Sequence, residues 1–104
     1  MLDIGFIGHV AVGGVLPLML QCRDGALRVS SPTSAPTYVI LHPGASGSTM
    51  TSGSLGDTDV HGTGVRMGSL ELGSGYQPGL LYTVLFQYSE SGNARAAVGS
   101  FSVV

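Results

Sequence analysis

The chain reads as an all-β protein, an antiparallel sandwich of about seven short strands. Three observations carry that reading. Seventeen glycines and five prolines cut the 104 residues into short runs. Several of those runs alternate with a period of two or are rich in β-branched and aromatic residues, and none holds a helical period. At this length there is room for one core, so residues 1–104 are expected to form a single domain.

The elements follow in order. Residues 2–12 are apolar and hold Phe6 and Ile7. They predict either an edge strand or an N-terminal arm over residues 1–12. From Leu16, the set Leu16, Leu18, Leu20 and Cys22 alternates with Pro17, Met19, Gln21 and Arg23, the mark of a strand with one buried face. Asp24-Gly25 turns the chain, and residues 30–36 hold two prolines among Ser and Thr. Thr37-Tyr38-Val39-Ile40-Leu41-His42 predicts a central strand, stopped by Pro43-Gly44.

Residues 44–56 are mostly Gly, Ser, Thr and Ala, and predict a weak edge strand near residues 49–52. Residues 64–72 alternate, with Val65, Met67, Ser69 and Glu71 on one side and Arg66, Gly68, Leu70 and Leu72 on the other. They predict either a plain strand or a bent one with glycine bulges at Gly64 and Gly68. In residues 80–89, Tyr82, Val84, Phe86 and Tyr88 share a face. Ser91-Gly92-Asn93 turns the chain, and residues 94–104 return as the partner strand. Short strands with turn signals between them and no helices fit an immunoglobulin-like antiparallel sandwich.

Charge narrows the function. Only 10% of the residues are charged, against about 25% in an ordinary soluble domain. The four basic residues, Arg23, Arg28, Arg66 and Arg95, are outnumbered by six carboxylates, for a net charge of −2. That balance offers no footprint for a phosphate backbone or an anionic membrane. The apolar stretch at residues 10–20 is too short to cross a bilayer and is broken by Gly13, Gly14 and Pro17. So sparsely charged a surface suits a protein packed against protein partners, where burying charge would be costly. Cys22 is the sole cysteine, which excludes an intrachain disulfide and fits folding in a reducing cytoplasm. The opening Met1-Leu2-Asp3 lacks the basic start of a secretion signal.

Candidate chemistry is thin. Asp57, Asp59 and His61, at i, i+2 and i+4, would share a face if extended, and carboxylate with imidazole suits a divalent metal. Three ligands without a fourth, in a glycine-flanked run, read more simply as turn residues, so no metal is expected. Cys22 and His42 would need direct contact and an orienting group to act as a nucleophile pair. The run Gly62-Thr63-Gly64-Val65-Arg66-Met67-Gly68 misplaces the third glycine of a dinucleotide fingerprint. Ser46 misses the spacing of a nucleophile elbow. The expectation is a protein that is not an enzyme and binds no cofactor. Of the tyrosines, Tyr82 and Tyr88 read as core, and Tyr76, between Gly75 and Gln77-Pro78, reads as the exposed one and a candidate partner-binding residue with Phe6 and Ile7.

The C-terminal strings Gly79-Leu80-Leu81-Tyr82-Thr83-Val84 and Gly99-Ser100-Phe101-Ser102-Val103, joined by a polar turn at Gly92, resemble the closing hairpin of small immunoglobulin-like virion proteins of tailed bacteriophages. The Leu- and Gln-bearing strand of residues 16–21, the Asp-Gly turn and Ala35-Pro36-Thr37-Tyr38 are similar to their front half. The glycine- and serine-rich segment of residues 44–56 departs from many of them. The resemblance implies a non-enzymatic structural protein, a capsid decoration or cement protein bound to the major capsid protein lattice, made in the host cytoplasm and resident in the virion. A neck or tail accessory role, or a carbohydrate- or receptor-binding β-sandwich module, is the alternative. The partners it implies are the major capsid protein or other virion proteins, with homo-oligomers allowed. A decoration protein gains avidity from many weak contacts, and residues 2–12 would supply one by adding a strand to a neighbour.

Overall fold

Alternation decides which side of each strand is buried. In the computed structural model, which describes residues 2–26, 28–30, 32, 34–43, 48–56 and 64–104, Leu16, Leu18 and Leu20 turn inward from strand β2 (Val15–Gln21), while Val15, Pro17 and Met19 face out. Antiparallel to it runs β5 (Val65–Glu71), from Val15↔Glu71 to Gln21↔Val65. Arg66 and Leu70 face in. The expected bulge at Gly68 is not there, because the β2–β5 register runs unbroken. Gly68 instead makes room for Leu55, whose Cδ2 would lie 2.9 Å from an added Cβ.

The second sheet has five strands in the order β1-β7-β6-β3-β4. Its centre is the hairpin of β6 (Leu81–Glu90) and β7 (Asn93–Val103), joined by the Ser91-Gly92 turn. β3 (Thr37–Leu41) lies beside β6, and β4 (Thr49–Ser54) forms one edge, longer by two residues than expected. Gly53 is required there: an added Cβ would lie 2.6 Å from the Tyr38 hydroxyl oxygen, which crosses over β4.

The other edge is β1 (Leu2–Val10), which pairs with β7 in parallel; every other strand pair is antiparallel. The N-terminal segment is therefore an edge strand of its own domain and not a free arm. Bulges interrupt its register between Asp3 and Gly5 and between Phe6 and Gly8, with positive φ at both glycines. Of the two forms expected for β5 the plain strand holds, and glycine bulges occur in β1.

The seven strands form an all-β sandwich, with β2 and β5 packed over the five-stranded sheet. Its core stacks Tyr82 on Phe101, ring centroids 5.6 Å apart, with Tyr76 edge-on to Tyr82 at 5.0 Å. The Gln77 backbone N–H donates to the Tyr82 hydroxyl at 2.9 Å. A tyrosine at the start of this strand, tied to backbone a few residues upstream, is a feature of immunoglobulin-like sandwiches. So is the placement of the last hairpin beside the third strand. The inter-sheet disulfide and tryptophan of antibody domains have no counterpart in this sequence.

Two ends follow from this topology. At the hairpin end lie the β6–β7 turn and the start of the β2–β3 connection. At the far end lie the β1–β2 turn, His42 and the β5–β6 connection.

Candidate interaction surface

A strand exposed on one face should alternate apolar and polar residues. The three central strands of the five-stranded sheet do not. β3 places Tyr38 and Ile40 inward, yet Val39 and Leu41 face out. β6 places Tyr82, Val84, Phe86 and Tyr88 inward, and Leu81 and Leu85 outward. Val98 faces outward from β7. Registry sets these side chains in rows across the sheet: Val39 is opposite Leu85, and Leu85 opposite Val98. The next row carries Leu41, Thr83 and Ser100. Leu81 is 55% exposed.

No outward position of β3, β4, β6 or β7 carries a charge. The described charged side chains gather elsewhere. At the hairpin end, Arg95 Nη2 lies 3.5 Å from Glu90 Oε2, and Arg28 Nε 3.1 Å from Asp24 Oδ2. Ser30 Oγ donates to Glu90 Oε1 at 3.4 Å. Arg66 is only 5% exposed and donates to the Gly56 carbonyl at 3.2 Å. Glu71 faces out from β5 on the opposite sheet. That narrower outer face also carries apolar groups, Val15 and the cross-strand pair Met19 and Met67, with Met19 62% exposed.

Asp24 is held by the loop it shapes. Its Oδ1 accepts from the backbone N–H groups of Arg28 and Ala26, each at 2.9 Å. These bonds, led by that from Arg28, together with the Arg28 guanidinium, hold its carboxyl below the ordinary 3.8.

Phe6 and Ile7 separate on β1. Phe6 is 51% exposed, with its ring 4.9 Å from the His9 imidazole, whereas Ile7 packs against the core. β1 adds its strand to its own β7, and Ile4, Ile7 and Val10 help to close the core. Truncating this segment would therefore damage the domain. Its bulges also blunt the free edge that a neighbour would extend.

Tyr76 is buried, at 5% exposure, contrary to the expectation of an exposed ring. A large aromatic in a glycine-rich connection has little to pack against locally, so it folds back against the stacked pair of Tyr82 and Phe101. Its hydroxyl meets Thr51 Oγ1 at 2.6 Å. Burial pushes the Tyr76 hydroxyl above its ordinary 10.0, against the lowering effect of the Thr51 bond. Tyr88 and Tyr82 are core residues, as expected.

Cys22 is fully buried at the hairpin end, while His42 lies at the far end, its Nδ1–H donating to the Pro43 carbonyl at 2.8 Å and its ring near Tyr82. They form no pair. Asp57, Asp59, His61 and Ser46 lie outside the described residues; among the described residues, no three of His, Cys, Asp and Glu converge. His9 Nδ1 and Ser102 Oγ stand 2.5 Å apart, a contact 93 positions apart in sequence that only the parallel β1–β7 pairing creates. It lies on the exposed sheet surface, where it fastens the edge strand. A shallow groove of about 270 Å³ lies at the hairpin end, floored by Tyr88 and Arg95 and rimmed by Ser34, Thr37 and Gln87. Arg95 is turned there toward Glu90.

Compared with family models, curated proteins and solved structures, the chain finds no match.

Proposed function

We propose that this protein is a non-enzymatic structural component of a tailed-phage virion, a decoration or cement protein that seats many copies on the major capsid protein lattice. The observation that carries the reading is that no outward position of β3, β4, β6 or β7 is charged, which leaves Val39, Leu81, Leu85 and Val98 on one broad face, while Val15, Met19 and Met67 stand out beside Glu71 on the other. Burying such faces against protein desolvates few charges. Modest contacts repeated over a lattice would add up to tight retention. The resemblance of the closing hairpin to phage virion proteins supplies the setting.

The test is the composition of purified particles from a culture that encodes the chain. Mass spectrometry should find it at a stoichiometry near that of the capsid protein, and electron cryo-microscopy should show its sandwich at lattice-related positions. Density at the neck or tail would move the protein to an accessory role. Its absence from washed particles would overturn the virion reading. Tyr76, the tyrosine expected to be exposed, is buried and offers no ring face to a sugar.

A further inference from the structure

We infer that the outer edge of β4 is a docking edge for an extended segment of another protein, which joins the five-stranded sheet as a further strand. The inference goes beyond the lattice reading and does not rest on it.

Main-chain geometry sets which groups the edge offers. The Leu55 N–H donates to the Pro36 carbonyl at 2.8 Å, and the His42 N–H to the Ser48 carbonyl at 2.9 Å. Bonded and non-bonded pairs alternate along an antiparallel ladder. The N–H and C=O groups of Thr51 and Gly53 are therefore turned toward β3, and those of Thr49, Ser52 and Ser54 away from it. Met50 takes up the register shift between Ile40 and Leu41 and packs against the core, so Thr49 and Ser52 follow each other along the outer edge. Toward its end the strand leans on β5: a Cβ added to Gly68 would lie 3.8 Å from the Ser54 carbonyl oxygen. The open stretch thus runs from Thr49 to the Ser54 N–H, and among the described residues no strand pairs with it.

The other edges are guarded, each in its own way. β1 is bulged. In β2 the Cys22 N–H donates to the Gly64 carbonyl at 3.0 Å, and the same alternation turns Pro17, which lacks a donor, toward the free side. Leu55-Gly56 closes on β5, with the Gly56 N–H donating to the Met67 carbonyl at 2.8 Å. β4 carries neither a charge nor a proline.

A row of alternating donors and acceptors is matched by one class of ligand, the main chain of an extended peptide. Side chains narrow the class. Thr49 and Ser52 are small and exposed, and their register partners on β3, Leu41 and Val39, face out of the sheet behind them. A long apolar side chain set opposite Thr49 or Ser52 reaches over them toward Leu41 or Val39. No charged side chain points out of β3 or β4, so a charge on that face of the incoming strand would find no partner. The occupant is an uncharged, extended segment with an apolar side chain at every second position.

The probe is an acetylated, amidated peptide of sequence Lys-Thr-Leu-Thr-Leu-Thr-Lys, with the lysines kept outside the pairing stretch for solubility. Titrated into the isotope-labelled full chain, it should move the amide resonances of Thr49, Ser52 and Ser54 saturably and those of Thr51 and Gly53 little. A handful of main-chain bonds gives a Kd on the order of 1 mM for a free peptide. Methylating the leucine amides of the peptide, which face β4, should abolish the shifts, whereas methylating the threonine amides, which face away, should leave them. Ser52→Pro removes an edge donor without breaking the β3 ladder and should weaken binding at least about fivefold. Ser52→Ala, which removes only the hydroxyl, should bind within about twofold of the wild type. Circular dichroism checks folding, and the two methylated peptides carry the test if Ser52→Pro is unfolded. No saturable shift up to about 5 mM, shifts centred away from β4, equal effects of the two methylations, or loss of binding in Ser52→Ala would overturn the inference, as would unweakened binding by folded Ser52→Pro. None of these outcomes depends on capsids, so failure here leaves the lattice reading standing and the reverse also holds.

Discussion

Tyr88 and Arg23 are bound to each other twice: the phenol accepts from the Arg23 backbone N–H and donates to the Arg23 carbonyl, both at 2.8 Å. Arg23 follows β2 and Tyr88 lies on β6, so one side chain satisfies two backbone groups and ties the sheets together at the hairpin end. Tyr88→Phe leaves both groups without that partner, at a cost of about 1–3 kcal/mol. Thermal unfolding should drop by roughly 5–15 °C for a domain of this size. A melting point unchanged within a degree or so would mean that water replaces the phenol without loss.

Glu90 is buried and answered by Arg95 and Ser30. Arg95→Met removes the cation and leaves the carboxylate in place, which should cost about 2–3 kcal/mol in urea denaturation. The double variant Glu90→Gln with Arg95→Met should recover much of that loss. Additive losses would show that the pair is not coupled.

Tyr76 sets an alkaline limit. Its hydroxyl titrates above the ordinary 10.0 in the folded chain because it is buried. Below that ordinary value the phenol is neutral in both states and stability is complete. As pH climbs toward the raised folded value the unfolded chain ionises first, and stability falls. The urea midpoint of the wild type should therefore decline from about pH 10 upward, and that of Tyr76→Phe should decline less. At neutral pH the same substitution should cost about 1 kcal/mol through the lost Thr51 bond.

Asp24 acts at the other end of the scale. Its carboxyl titrates below 3.8 because the Arg28 backbone N–H, the Ala26 N–H and the Arg28 guanidinium favour the charged form. The support it gives the loop is present above its unfolded value and is lost as pH falls through the lower, folded one. A carboxyl-carbon NMR titration should place its midpoint below that of an unstructured aspartate. Asp24→Asn keeps an acceptor for the two backbone donors and should hold the turn while losing the ion pair to Arg28.

Gly53→Ala sets a Cβ 2.6 Å from the Tyr38 hydroxyl oxygen and 2.7 Å from its Cζ. The stiff ring must move, so a loss of about 1–3 kcal/mol is expected. Gly73→Ala, where an added Cβ meets nothing within 4 Å, serves as the control and should melt close to the wild type.

Much of the fold was legible because period two is a strong local signal. Leu16, Leu18 and Leu20 against Pro17 and Met19 announced β2, and Tyr82 through Tyr88 announced β6. Parallel pairing was not legible. It joins residues about ninety positions apart and leaves no turn residue to mark it, so β1 remained either arm or strand until His9 met Ser102. Tyr76 misled for a related reason: its neighbours Gly75, Gln77 and Pro78 describe a surface turn, while Tyr82, Thr51 and Phe101 bury it from a distance. The apolar row on the outer face was half visible, since Thr37 to Leu41 lacks polar alternation. Only the registry with Leu85 and Val98 showed that the exceptions line up.

Pro17 in β2, the bulges of β1 and the closure of β5 by Gly56 have a consequence for growth. An open edge would recruit copies without limit and end in a fibre. With three strand edges blunted in this way, the addition of strand to strand has few places left to begin.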